Sequence, residues 1–145
     1  MNKAILVGRL TRDPDIRYSQ GENSVAVARY TLAVDRRFKR ANESQDADFI
    51  SCVSFGKTAE FVERYFTQGM KMGAVGRIQT GSYTNKEGQK VYTTDVVVEE
   101  VEFVESKASS EAYRNNTEER SQPSSDVGDG FMNIPDGIDE ELPFN

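Results

Sequence analysis

The sequence predicts an all-β domain followed by an acidic tail that does not fold alone. Five segments have the apolar patterns of β-strands, and a single short segment has the period of a helix. After residue 106 the composition turns to Ser, Asn, Asp, Glu, Gly and Pro, which cannot bury enough apolar surface to form a core. The 145 residues, 37% of them hydrophobic, therefore support one packed domain over residues 1–106 and a disordered tail over residues 107–145.

The strand predictions rest on apolar runs and on alternation. The five predicted strands cover residues 3–10, 25–35, 47–55, 70–83 and 90–104. In the second of them the even positions are apolar while the odd positions include Arg29 and Asp35, which is the period-two pattern of a half-buried strand. Between the first two strands Asp13 and Pro14 favour a turn, so residues 11–21 are expected to form a loop.

One segment changes to a helical period. Residues 58–68 place apolar side chains one and four positions apart, with Thr58 as the N-cap and Gly69 as the stop. The apolar face is expected to join the core and consists of Phe61, Val62, Tyr65 and Phe66. In the strand that follows, Gly73 and Gly76 would let the backbone bend.

The order of these elements matches one known architecture. Three strands, a helix and two further strands within about 105 residues give the order of an OB-fold, a five-stranded, partly open barrel. One short helix then lies between strands three and four. Residues 85–89 connect the last two strands and contain Gly88, which suits a positive φ. We therefore predict an OB-fold barrel with a tight hairpin.

The composition excludes most catalytic chemistry. The chain has no histidine, which is the commonest general base and metal ligand, and its one cysteine, Cys52, can form neither an internal disulfide nor a thiolate zinc site. We expect no enzymatic activity, no cofactor and no metal. No apolar run approaches the roughly 20 residues of a membrane span, so a cytoplasmic protein without membrane association is expected.

The net charge of −6 is concentrated in the tail. Residues 1–106 hold 15 basic and 15 acidic residues, whereas residues 107–145 hold 3 and 9. Within the body, residues 1–92 carry 15 basic against 10 acidic residues, and the remaining acids cluster in the last strand. A basic face is therefore expected on the folded domain, where it can meet an anionic partner such as nucleic acid.

Aromatic and basic residues are interleaved in the body, as in a groove that stacks unpaired bases. Phe38 lies among four cations, Phe49 and Phe55 lie on the third strand, and Tyr83 lies near the hairpin. A ring stacked on a base is worth roughly 1–3 kcal/mol, and Lys and Arg neutralise phosphates without regard to sequence, so single strands are favoured over duplex. The candidate DNA-binding residues are Arg9, Arg36, Arg37, Phe38, Lys39, Phe49, Phe55, Lys57, Arg77, Tyr83 and Lys90.

Other interpretations stay open at this point. Phe49 and Phe55 could belong to the core, since alternation alone does not fix their face. An RNA-binding protein of cold-shock type would use similar stacking, and an adaptor would use the same aromatics and the tail to bind proteins only. A metal-dependent nuclease would need carboxylate pairs, although acids in turn-like segments commonly serve as caps. The available pairs are Asp13 with Asp15 and Asp46 with Asp48.

The end of the tail combines acidic residues with an apolar tip. A purely solubilising tail would not need an aromatic residue, whereas a docking peptide can place a ring in a partner's pocket while its carboxylates meet a basic rim. We therefore interpret this tip as a site for partner proteins. Its residues are Asp139, Glu140, Glu141, Leu142, Pro143 and Phe144.

Several segments resemble the bacterial single-stranded DNA-binding protein family, in the right order and over essentially the whole chain. They are the opening NKAILVGRLTRDPDIRY, the segment YTLAV, the stretch FGKTAE before the helix, the hairpin GRIQTGSYTNKEGQKVYTT and the acidic LPF tip. The match is more specific than a shared fold, because body and tail agree.

The resemblance implies an assembly and a set of partners that no periodicity reveals. It implies a homotetramer of OB domains that wraps single-stranded DNA in the cytoplasm, associated with the nucleoid. It also implies that the tip recruits replication, recombination and repair proteins. Finally, it implies that Phe38, Phe49, Phe55 and Tyr83 stand at base-stacking positions, with nearby basic residues serving the phosphates.

Overall fold

The computed structural model describes residues 1–38, 41–42 and 44–120, and for residues 117–120 it describes the backbone alone. Within these residues the elements are β1 (Ala4–Leu10), β2 (Asp15–Tyr18), β3 (Ala26–Asp35), β4 (Ala47–Phe55), α1 (Gly56–Tyr65), β5 (Lys71–Thr84), β6 (Lys90–Phe103) and α2 (Lys107–Arg120). Of the predicted site residues, Lys39 and the tip residues 139–144 lie outside the described part of the chain.

Five of the strands pair in a closed ring. β1 pairs antiparallel with β5, β5 with β6, and β3 with β4, while β4 and β6 pair in parallel. Pairing of Arg9 and Leu10 in β1 with Ala33 and Leu32 in β3 closes the ring, and β2 extends the sheet beyond β3. The prediction of a domain built mostly from sheet is confirmed.

The apolar core lies on the inner side of the ring. The even positions of β3 from Ala26 to Leu32 are buried, as the alternation predicted. Each large aliphatic side chain buried in this way contributes about 1.5–3 kcal/mol to stability. The hydroxyl groups of Tyr30 and Ser54 lie 2.7 Å apart inside this core, so each polar group has a hydrogen-bond partner where water is absent.

The structure contains two elements that the sequence analysis did not predict. The short strand β2 lies in the segment expected to be a loop, and it pairs with β3 from Asp15↔Arg29 to Tyr18↔Ala26. The helix α2 occupies the first part of the segment expected to be a disordered tail. No helix within the described residues is long and apolar enough to cross a membrane.

Helix α1 starts and ends earlier than predicted. It spans Gly56–Tyr65, and the prediction of Thr58 as N-cap is wrong, because the N-cap position is Phe55 and Thr58 lies inside the helix. The Thr58 hydroxyl instead donates to the carbonyl oxygen of Glu99 at 3.2 Å. Phe66 already has extended backbone and is buried, with its ring stacked on Phe103 at 4.7 Å between centroids. The helix itself packs mainly against β3 and β4, and Phe66 just after it contacts β6 through Phe103.

Two glycines predicted to matter occupy special positions. At Val75 and Gly76 the register between β5 and β6 shifts, because Val75 pairs with Glu100 and Gly76 with Val98, which leaves Glu99 as the extra residue of a bulge. In the hairpin between the same strands, Gly88 has a φ of 81°, as predicted. The Asn85 side-chain oxygen accepts hydrogen bonds from two backbone amides there, at 3.0 and 2.9 Å.

Candidate nucleic-acid interface

The outer face of the ring carries three exposed aromatic rings at predicted site positions. Phe49 is 61% exposed, Phe55 49% and Tyr83 57%, so none of them is a core residue. Phe49 and Phe55 alternate along β4 with Ile50 and other residues that pack inward. Exposed aromatics on one face of a sheet are the groups that stack on unpaired bases.

Register places Tyr83 on the same face. Residues directly opposite each other on paired strands have their side chains on one side of the sheet. Val53 pairs with Val97 across β4 and β6, and Val97 pairs with Arg77 across β6 and β5. Since Tyr83 lies six positions after Arg77 on the same strand, it faces the same way. Phe49 lies four positions before Val53 and shares this orientation.

Two arginines flank a row that crosses the outer face. Arg29 on β3 pairs with Val53, and Arg77 on β5 pairs with Val97, so the row runs from one guanidinium through two valines to the other. Both arginine side chains are exposed. Arg77 lies 3.7 Å from a carboxylate oxygen of Glu99, at the bulge. Cations on both sides of an apolar strip suit a path for a phosphate backbone.

Phe38 lies in the loop after β3 and is the most exposed of the predicted aromatics. Its ring is 81% exposed, and the Arg37 guanidinium lies 5.5 Å from the ring centroid. An exposed ring beside a cation can accept a base on one face while the arginine meets a phosphate. This loop follows the end of β3 that pairs with the start of β4, near Phe49.

Two predicted basic residues, Lys90 and Arg36, do not share the outer face, and a third, Lys57, lies on α1. Lys90 pairs with Thr84 and lies 5.2 Å from the Tyr92 ring, on the opposite side of the hairpin from Tyr83. Arg36 continues the inward-facing positions of β3, and its guanidinium forms an ion pair of 2.7 Å with Asp48. Lys57 lies in the first turn of α1, next to Phe55, and is exposed.

Arg9 is held by the protein itself. Its two terminal nitrogens donate to the carboxylate of Glu105 at 2.7 and 2.8 Å, and one also donates to the carbonyl oxygen of Gly69 at 2.9 Å. The hydrogen bonds with Glu105 raise the pKa of Arg9, and they lower that of Glu105. The Tyr113 ring of α2 covers the guanidinium at 4.1 Å. Arg9 therefore fixes the start of α2 as well as bordering the outer face.

The aspartate pairs considered for a nuclease have structural partners. Asp13 accepts a hydrogen bond from the backbone amide of Gln68 at 2.7 Å, and Asp48 accepts one from Arg36 at 2.8 Å. Among the residues that the structure describes, no group of three or more His, Cys, Asp or Glu residues is placed to hold a metal ion. The lone Cys52 is buried, and burial raises the pKa of its thiol to about 12, so it is not a thiolate at neutral pH.

Sequence reasoning missed three residues that border this interface and one exposed ring on the opposite face of the hairpin. Arg29 stands on the outer face by the same alternation that predicted the second strand, so the signal was available once the facing of β4 was known. Tyr92, 76% exposed, lies on the opposite face of the hairpin, and its place in the period-two pattern could have shown this. Tyr113 and Arg114 come from α2 and had no signal, since the helix itself was not predicted.

Comparison with known proteins identifies the kind of protein. The model of the single-strand binding protein family matches residues 1–104. A single-stranded DNA-binding protein of Clostridium perfringens is 51% identical over 106 residues, 73% of this chain and 67% of that protein. Single-stranded DNA-binding protein 3 of Clostridium acetobutylicum is 45% identical over 139 residues, covering 96% and 92%. Single-stranded DNA-binding protein 3 of Listeria innocua is 40% identical, with 99% of each chain covered.

The match covers the whole ring of strands, including every described residue of the outer face. The family is one of DNA-binding proteins and not of enzymes, which agrees with the absence of histidine from the sequence. The resemblance found in the sequence is confirmed: this chain belongs to the single-strand binding protein family.

Proposed function

We propose that the protein binds single-stranded DNA without sequence preference and protects it during replication, recombination and repair. The observation that supports this best is the set of half-exposed rings on the outer face, Phe49, Phe55 and Tyr83, with Arg29 and Arg77 beside them. Rings stack on any base, and guanidinium groups neutralise phosphates whatever the sequence. Duplex DNA hides its base faces, so this surface selects single strands. Such a protein works with the nucleoid in the cytoplasm.

The strand ring supports an OB-fold as the scaffold of this function. An OB-fold is a five-stranded barrel of Greek-key type that binds oligonucleotides on one face and through its loops. Here five strands close a ring, and the aromatic residues lie on β4, on β5 and in the loop that contains Phe38. The protein then acts simply by being bound, because bound protein keeps bases from pairing and shields the strand from nucleases.

An exposed apolar edge supports assembly into a homotetramer. β1 pairs with β3 only at Arg9 and Leu10, so its earlier residues have one backbone edge without a partner strand among the described residues. Ile5 is 74% exposed on this strand and Val7 is also exposed. Strand edges with apolar side chains are the usual places for a second copy to pair. Linked subunits would then raise affinity through effective concentration.

The proposal is tested by fluorescence anisotropy of labelled oligo-dT, a matched duplex and a matched RNA oligomer, each titrated with protein at several salt concentrations. We expect tight, salt-sensitive binding to oligo-dT and little affinity for duplex. Equal binding to single strand and duplex, or binding to neither, would contradict the proposal, and preference for RNA would favour a cold-shock type of function. Sedimentation of the protein measures its mass in solution and so tests the homotetramer. A mass equal to that of one chain would exclude it.

We further propose that residues 139–144 recruit replication, recombination and repair proteins. The support is their sequence, in which acidic residues precede Leu142, Pro143 and Phe144. A variant that lacks residues 121–145 keeps the ring and α2, so it is expected to bind oligo-dT while losing partner enzymes from DNA-bound complexes. Binding of a purified partner enzyme that is equally strong with and without these residues would contradict this role.

A further inference from the structure

Helix α2 is anchored to the ring next to the outer face. Glu105, just before the helix, forms the paired hydrogen bonds with Arg9, and the buried Ser110 hydroxyl donates to Glu105 at 3.4 Å and to the carbonyl oxygen of Ser106 at 3.3 Å. Tyr113 then covers the Arg9 guanidinium. The family match ends at residue 104, so the helix is an addition to the matched domain.

Between α2 and the ring lies an open cavity of about 390 Å³. Phe49 and Tyr113 supply aromatic walls, Ala33 lies on the floor, and Arg9, Arg114 and Gln68 border the cavity. The floor follows from register, because Arg9 pairs with Ala33 across β1 and β3, and Ala33 pairs with Phe49 across β3 and β4. The ring that we assign to base stacking therefore forms one wall of this cavity.

We infer that this cavity is a pocket for one nucleobase of the bound single strand, with α2 supplying one of its walls. The inference rests on the proposed function and adds a site on a helix outside the matched domain. Two aromatic side chains in one cavity suit a flat, apolar group, and Gln68 offers an amide to a base edge. Arg114 can neutralise the phosphate of the same nucleotide, since Arg9 is already paired with Glu105.

Affinity measurements on the full chain test the role of the α2 wall. We expect Tyr113→Ala to bind labelled oligo-dT about tenfold more weakly, since one stacking ring is lost. Tyr113→Phe should bind as tightly as the wild type, because the ring remains. Asn115→Ala is the matched control: Asn115 is exposed on the same helix, does not border the cavity, and should leave binding unchanged. Helix content measured by circular dichroism shows whether α2 persists in each variant.

Coupling between the two walls separates this inference from the proposed function. If Phe49 and Tyr113 hold the same base, Phe49→Ala combined with Tyr113→Ala should lose less affinity than the product of the single losses. Should Phe49→Ala weaken binding while Tyr113→Ala leaves it unchanged or tightens it, the pocket is wrong and the outer face stands. If the wild type fails to bind oligo-dT, both the base pocket and the proposed function are contradicted.

Photocrosslinking adds a direct readout of contact. Oligo-dT that carries 5-iodouracil is bound to the full chain, irradiated and digested, and the adducts are located by mass spectrometry. We expect adducts on Tyr113 of α2, because Phe49 alone would also be modified if only the outer face bound the strand. Adducts confined to the strands of the outer face, such as Phe49, Phe55 and Tyr83, would overturn the pocket.

Discussion

Gly76→Ala is expected to lower the free energy of unfolding by about 3 kcal/mol or more, a large share of the 5–15 kcal/mol typical of domains. A β-carbon at this position would clash with the carbonyl oxygen of Val97 and lie 2.9 Å from the α-carbon of Val98. These are backbone atoms of β6, so no side-chain rotation relieves the contact. The bulge would have to rearrange, and with it the pairing of β5 and β6.

Gly81→Ala is the matched control for this substitution. Gly81 lies on the same strand, and a β-carbon there would meet only the side-chain oxygen of Thr93, at 3.1 Å, which can rotate away. We expect a change below about 1 kcal/mol, because a glycine in an exposed strand has no packing to lose. Urea unfolding followed by circular dichroism compares the two. Similar midpoints for both variants would show that the bulge does not depend on Gly76.

The double variant Phe49→Ala with Phe55→Ala is expected to weaken binding to oligo-dT by roughly 2–6 kcal/mol, which is a loss of about 30-fold to more than ten-thousandfold. Both rings stand on the outer face of β4 and are exposed, so their removal takes away two stacking partners without opening a cavity in the core. We therefore expect little change in thermal stability. Anisotropy titrations give the affinity, and thermal unfolding gives the stability.

Tyr18→Ala serves as the control for loss of an exposed ring elsewhere. Tyr18 pairs with Ala26, which is a core position of β3, so it lies on the side opposite to the outer face, and its hydroxyl donates to Glu63 at 2.9 Å. We expect its binding to equal that of the wild type. The special role of the outer face would be contradicted if Tyr18→Ala lost as much affinity for oligo-dT as the double variant. It would also be contradicted if the double variant lost affinity because it unfolds.

The parts of the fold that could be predicted are those with a clear local signal. Alternation in β3 predicted that its even residues lie in the core. Gly88 indicated the hairpin turn, because few other residues adopt a positive φ easily. The strand β2 has only four residues and gains its pairing from β3, so its own sequence gives a weak pattern. The helix α2 is polar almost throughout and depends on Glu105 and Arg9, which are 96 residues apart.

The candidate site could be predicted in composition but not in arrangement. Phe49, Phe55 and Phe38 were found because rings among cations are unusual on a surface, and the structure leaves all three exposed. Which basic residues lie beside these rings depends on the pairing register of the strands. Alternation in the hairpin turns Lys90 to the other face, and the ion pair with Asp48 occupies Arg36. Neither relationship is visible without the pairing of the strands.

The way the ring closes also determines when the protein can fold. β1 finds its partner in β5, with Ala4 opposite Gly76, and the parallel pairing of β4 needs β6, which ends at Phe103. Contacts so distant in sequence form slowly, because a long loop must close before they contribute. A nascent chain that has reached only β5 leaves the edge of β4 open. Synthesis must therefore reach Val96–Val98 of β6 before the ring of strands can close, and until then the unpaired strands are exposed to neighbouring chains.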